Sequence, residues 1–190
     1  MTTVLPNWVE KLKSCYLSGE AIQFLLHANI QDIFLYEGEL LVLKDFLYKV
    51  LLQRSRDITV FYDPSQGITF PEANHEKNFF QAVNTYLSVQ GESPISKQDL
   101  SSSPAQIISL LEKLMKTASH RTGVVMSYLE TIIPAAEMSF LSPDERNSLI
   151  TLQRWSSDQQ FLLSDTIILM ICENLADVNN RIVKNPQIVE

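Results

Sequence analysis

The sequence predicts an α/β protein, a three-layer arrangement with a parallel sheet flanked by helices. Three observations carry that expectation. Four short runs, "IQFLLHA" (22–28), "DITVFYD" (57–63), "TGVVMSY" (122–128) and "TIILMIC" (166–172), are apolar almost throughout rather than alternating, as strands buried on both faces are. Segments with helical spacing separate them, which is what crossovers between parallel strands require. The chain then closes on "NPQIVE" (185–190), a turn leading into a fifth strand.

Taken in order, Asn7 followed by Glu10 predicts a capped helix over roughly 8–18, with Trp8, Leu12, Cys15 and Tyr16 along one side. After the strand at 22–28, "NIQDIFLY" reads as a continued extended stretch. "ELLVLKDFLYKVLLQ" follows, where Leu40, Leu43, Leu47 and Val50 recur at helical spacing and Phe46 and Leu51 widen the face. The strand at 57–63 ends in "PSQG", with "ITF" returning as a brief hairpin. Phe79, Val83 and Leu87 predict a helix over about 75–88. The stretch "QGESPISKQDLSSSP" (90–104) is polar, Ser-rich and linker-like. It ends in Ser103-Pro104, an N-cap and first-turn pair, before a helix carrying Ile107, Leu111, Leu114 and Met115. Ser142 and Glu145 form a capping-box pattern with Pro143 at the first helical position. "ENLADVNNRI" reads as one short helix with Leu175, Val178 and Ile182 inward.

The chain has 190 residues, 45% hydrophobic and 19% charged, which suits a single domain, 1–190, with a full core. "TIILMIC" is far below the ~20 apolar residues of a membrane span, and "MTTVLPNWVEKLK" lacks the pattern of a secretory signal. Cys15 and Cys172 match no zinc or redox spacing, so they read as free thiols of a cytoplasmic protein. The net charge of −7, with no block of Lys or Arg, opposes binding to a phosphate backbone. The expectation is therefore no nucleic acid and no membrane.

A phosphate-binding α/β domain places a glycine-rich turn between its first strand and the next helix. Here that connection is "HANIQDIFLYEGELL" (27–41), with Gly38 alone, and none of the five glycines of the chain belongs to a GxGxxG or GxxxxGK pattern. "RTGVVMSYLETIIP" (121–134) has the look of a third strand that ends on a magnesium-binding aspartate, but Ser127 stands there and Glu130 follows three places on. A neutral hydroxyl brings no charge to a magnesium ion. Glu130 is either a water-polarising group or a solvated loop carboxylate. His27, at the end of the first strand, is either a ligand or a rim histidine; His75 and His120 have no metal-binding neighbours in sequence. There is no GxSxG elbow, and neither cysteine has a histidine nearby in sequence.

"QFLLHANIQDIFL", "TGVVMSYLETIIP" and "DERNSLITLQRWSSDQQFLLSDTIILMICENLADVNNRI" together resemble the N-terminal region of a group of bacterial AAA-type ATPases. In that group an NTPase-like domain without a P-loop precedes a conventional AAA module. The shared pattern falls on Phe24–Asn29, Val124–Glu130, Leu152–Asp177 and Asn185–Ile188. The resemblance covers most of the chain, weakens over 63–104 and is most specific over Trp155–Asp177. It implies the strand order of P-loop NTPases, with "TIILMIC" as fourth strand. It places Asn174 where a sensor amide orients water, and Arg181 near an inter-subunit arginine finger. Each has a plainer reading, Asn174 as a helix cap and Arg181 as a solvent-facing charge. His27-Ala28-Asn29 stands where relatives often carry His-Gly-Asn, and Ser127 replaces their usual aspartate. The pattern also implies that the chain is incomplete at its C-terminus, where the AAA module would follow.

The leading expectation is a degenerate AAA-type domain that serves assembly or regulation of an AAA ATPase, with no cofactor and no hydrolysis of its own. Its partner would be a protein or AAA module, or further copies of itself. One alternative is an ATP- and magnesium-binding domain with an unconventional site using Glu130 and Asn174. The other is a scaffold or adaptor unrelated to ATPases.

Overall fold

A computed structural model describes residues 5–101, 103–116 and 120–190. The first four residues, which enter the reading of the N-terminus, and residue 102 of the polar segment 90–104 lie outside the described residues.

Five parallel strands form the expected sheet: β1 (Gln23–His27), β4 (Ile58–Asp63), β6 (Thr122–Met126), β7 (Ile167–Cys172) and β8 (Ile188–Val189). They lie in the order β8-β1-β7-β6-β4, with the short β5 (Gly67–Thr69) antiparallel at the edge beyond β4. Counting the parallel strands along the chain, the order is 5-1-4-3-2. The fourth sits between the first and third, as the resemblance implies.

Side chains alternate between two cores. On β7, Ile168, Met170 and Cys172 enter one core and Ile167, Leu169 and Ile171 the other, because successive residues of a strand face opposite sides. The larger core is covered by α3 (Ala73–Val89), α4 (Pro104–Met115), α6 (Pro143–Trp155) and α7 (Gln159–Leu163) with the short α5 (Leu129–Ile132) and α8 (Asn180–Val183). The smaller is covered by α1 (Asn7–Leu17) and α2 (Leu43–Leu47), which runs on into a π-helical turn over Tyr48–Leu52. Each large aliphatic or aromatic residue fully buried in these layers stabilises the fold by roughly 1.5–3 kcal/mol. Trp155 and Phe161, edge to face with centroids 6.1 Å apart, anchor the larger core.

Several expected details change. Helix α1 starts at Asn7 with Pro6 as its N-cap and no capping side chain; proline already fixes an extended φ there. Its inward residues are Val9 and Leu12, while Trp8 turns outward against Phe34 and Phe46. Residues 29–36 are not one extended stretch. Asn29 makes a turn, accepting from the Gln31 N–H at 2.9 Å, and a hairpin follows: β2 (Ile33–Tyr36) pairs antiparallel with β3 (Glu39–Val42). Glu37 and Gly38 both have positive φ, 50° and 86°, the requirement of a two-residue type I′ turn. The expected helix over "ELLVLKDFLYKVLLQ" thus begins only at Leu43, and Leu40 lies on the hairpin, exposed.

Ser103 offers no side-chain cap to α4, although Pro104 holds the first helical position; the Ser103 hydroxyl turns to Asp144 at 3.3 Å instead. The Ser142–Glu145 capping box forms as read. The polar stretch is tied down. Asn84 exchanges two bonds with the Ile95 backbone, 2.8 and 2.9 Å, and Ser96 and Asp99 cap a 3-10 turn over Lys97–Asp99. "ENLADVNNRI" is not one helix. It is a 3-10 turn (Leu175–Asp177), a bridge from Val178 to Pro134, and then α8. Asn174 and Asn179 each cap a separate turn, so the backbone restarts in between.

Candidate functional site

In open α/β sheets ligands bind outside the carboxyl ends of the strands. Here that edge carries His27 at the end of β1, Asp63 at the end of β4, Ser127 just after β6, and Glu173 and Asn174 just after β7. Where a phosphate loop would join the first strand to the first helix, the chain builds the β2–β3 hairpin.

The hairpin is stapled from below. Phe34 stacks on Phe46 of α2 at 4.4 Å, while Trp8 and Tyr36 meet Phe46 edge-on at 6.2 and 5.9 Å. Phe46 is fully buried. Such ring pairs add ~0.5–1.5 kcal/mol each beyond their buried area. A cavity of about 560 Å³ lies between hairpin and sheet, with Trp8, Phe34, Leu43, His27 and Glu190 among its walls. Its lining is mainly apolar.

Three backbone donors just after β1 are already engaged. The Ala28 N–H donates to the Cys172 carbonyl at 3.1 Å, Gln31 N–H to the Asn29 side chain, and Asp32 N–H to the Asn29 carbonyl at 3.0 Å. A phosphate cradle needs successive free N–H groups pointing at one spot; these three are each taken up by an acceptor of the chain itself.

A second cavity, about 270 Å³, opens between the hairpin base and the ends of β4 and β6, where Gln31, Lys44, Asp63, Ser127 and Tyr128 meet. Lys44, in the first turn of α2, rests its ammonium 5.7 Å from the Phe61 ring. Asp63 accepts from the N–H and hydroxyl of Ser65, both at 2.7 Å. Ser127 donates its N–H to Tyr62 at 2.9 Å, and Tyr128 sits in the left-handed region at φ 55°, a costly conformation for a residue with a side chain.

Glu130 lies in the first turn of α5, with one carboxylate oxygen buried and unpartnered. Its charge reaches Cys172: burial first, then Glu130 and Glu190, push that thiol up to about 11. A thiol so disposed is protonated at neutral pH and a poor nucleophile. His27 and Cys172 are register partners on adjacent strands, a proximity that sequence spacing hides. His27 is exposed, its Nε2 3.1 Å from the Glu173 carbonyl. Asn174 accepts from the Ala176 N–H at 3.1 Å and donates to Asp177 at 2.8 Å, so both ends of its amide serve its own turn. Arg181 is exposed on α8, its N–H capped by Asn179. Among the described residues no group of three or more His, Cys, Asp or Glu could hold a metal ion, and no helix is long and apolar enough to cross a membrane.

Sequence reasoning missed two features. One is the hairpin, whose signal was Glu37-Gly38 between "IFLY" and "ELLV". The other is a buried relay around His75, which has no signal because its members are distant in sequence. His75 Nδ1 lies 3.1 Å from the Thr59 N–H and 3.3 Å from the Asp57 carbonyl, and Nε2 lies 2.9 Å from the Tyr48 hydroxyl. That hydroxyl donates to Glu72 at 2.6 Å. Burial holds the His75 pKa down, consistent with a neutral ring.

A family model describing the N-terminal Rossmann-like domain of AAA+ chaperones matches residues 2–190. No curated protein and no solved structure gives a match. The match spans nearly the whole chain, and the mostly parallel sheet flanked by helices is consistent with a Rossmann-like fold, so this chain belongs to the family of N-terminal Rossmann-like domains of AAA+ chaperones.

Proposed function

We propose that this domain is a non-catalytic part of an AAA ATPase, acting in assembly or regulation and not hydrolysing ATP itself. The observation that carries the reading is the β2–β3 hairpin in the phosphate loop's place, with the Ala28, Gln31 and Asp32 N–H groups already bonded within the chain. Transition-state charge in phosphoryl transfer is stabilised by such donors, a lysine and magnesium acting together. Ser127 brings no carboxylate to the end of β6, and the Asn174 amide is committed to Asp177 and Ala176. The core is built from strand and helix faces, so the fold does not depend on a bound nucleotide. On this reading the domain lends rim and hairpin to a neighbouring AAA module or protein partner, with Arg181 a candidate at such a contact and Glu130 a buried carboxylate rather than a catalyst. The catalytic module would lie elsewhere in the assembly.

The test is isothermal titration of the purified chain with ATP and magnesium. The expected result is no saturable heat. Metal-dependent binding at micromolar concentration would overturn the reading, and its loss in Lys44→Ala would favour a nucleotide site built around the smaller cavity.

A further inference from the structure

We propose that the cavity between the β2–β3 hairpin and the sheet is a binding site for a small organic cation, an amine carried on an apolar or aromatic body. This goes beyond the assembly-or-regulation reading and does not depend on it.

Size and walls suit a small molecule. The space measures about 560 Å³, within the roughly 300–1,000 Å³ of ligand pockets. Its apolar walls are preformed: Leu43 is fully buried, and Phe34 is fixed by its stack on Phe46. Trp8 stands edge-on to Phe34 and Phe46, yet stays 36% exposed. Of the aromatic side chains, an indole attracts a cation most strongly.

The polar walls select the charge. They are His27, Asp32 and Glu190. A carbonyl only accepts, so the 3.1 Å contact between His27 Nε2 and the Glu173 carbonyl puts the ring proton on Nε2. Nδ1 is then left as an acceptor. Asp32 and Glu190 are exposed and take part in no ion pair among the described residues. Among the described walls there is no Lys or Arg. Lys11 and Lys13 of α1 lie outside them, Lys44 of α2 leans on Phe61 by the smaller cavity, and Lys49 is paired with Glu39. Two unneutralised carboxylates therefore set the field, and they repel an anion. An ammonium group has three donors and no acceptor, which matches walls that offer acceptors. Its apolar body would lie against Leu43, Phe34 and Trp8.

Trp8 also serves as the reporter, because the other tryptophan of the chain, Trp155, is fully buried in the larger core. The fluorescence of the full chain is titrated with phenethylamine, phenethyl alcohol and phenylpropionate, which share a shape and are cationic, neutral and anionic at neutral pH. The amine should change the emission and bind at least about tenfold more tightly than the alcohol, with phenylpropionate weaker still. The double variant Asp32→Asn/Glu190→Gln should cost the amine about tenfold and leave the alcohol unchanged. The advantage of the amine should shrink as salt rises. Circular dichroism melts check that the variant is folded.

No change in emission, equal affinity for the three ligands, or unchanged amine affinity in the double variant overturns the proposal. So does an emission change that survives in Trp8→Phe, since the ligand would then sit elsewhere. A silent amine series together with a silent ATP titration removes this inference alone. Heat from ATP and magnesium bears on the functional reading instead.

Discussion

The two ends of the sheet are built by opposite rules. At the amino end, charge is paired, and one of its cations is buried. Arg56, almost wholly buried, meets the Asp165 carboxylate at 3.0 Å and donates to its carbonyl at 2.6 Å, with its guanidinium 4.9 Å from the Tyr16 ring. Tyr16 donates its hydroxyl to the same carboxylate. Burial opposes ionisation of Asp165, but the bonds from Tyr16 and Arg56 win and hold its pKa down. Arg121 clasps Asp57 through both carboxylate oxygens and its own N–H, holding that carboxyl at about 2. The carboxyl end instead displays aliphatic side chains on the hairpin. The difference teaches that polar groups at the amino end serve cohesion. The surface left over for contact lies at the other end.

Four measurements would break or sharpen that contrast. The largest effect is expected from Phe46→Ala, which removes the ring under the hairpin. It should cost about 3–5 kcal/mol in urea unfolding and expose residues 33–42 to protease; an intact, protected hairpin would mean that the aromatic staple is not its anchor. Next, Arg56→Ala should cost roughly 2–3 kcal/mol, below the ~3–5 of a fully buried pair because Asp165 is half exposed. A change within ~0.5 kcal/mol would demote the amino-end cluster to ordinary surface.

The third concerns pH. His75 has its pKa held below the ordinary 6.5 by burial, so below pH 6.5 the unfolded chain binds a proton that the folded chain resists. Its contribution is fully present above 6.5 and fades as pH falls toward the lower folded value. Asp57, lowered from 3.8 to about 2 by its bonds with Arg121, adds a separate loss as pH falls from 3.8 toward 2. His75→Gln should flatten the first step and spare the second; urea midpoints from pH 7.5 to 3 read both. The smallest stability effect belongs to Leu35→Ser/Leu40→Ser, within ~0.5 kcal/mol, as expected of side chains that are largely exposed.

The strands were legible because burial on both faces writes itself as continuous apolar runs, as "TIILMIC" did for β7. The Ser142 cap was legible because its partner, Glu145, is three residues away. The hairpin was not, since "ELLVLKDFL" satisfies strand and helix periods alike over a few residues. Tertiary contact with Phe46 and the positive φ at Glu37 and Gly38 decided between them. Asn174 caps the turn that follows β7, the plainer of its two sequence readings, and its amide also donates to Asp177.

By itself the sequence determined the class of fold, the absence of a GxGxxG or GxxxxGK pattern and the neutral Ser127 just past the β6 run, because these depend on residue type and local period. Only the tertiary structure decided which end of the sheet pairs its charges, which face of the hairpin meets solvent, and that His75, Tyr48 and Glu72 form one relay. Those outcomes depend on residues far apart in sequence coming within hydrogen-bond or van der Waals distance. Chain folding sets that proximity, and no short window of residues records it.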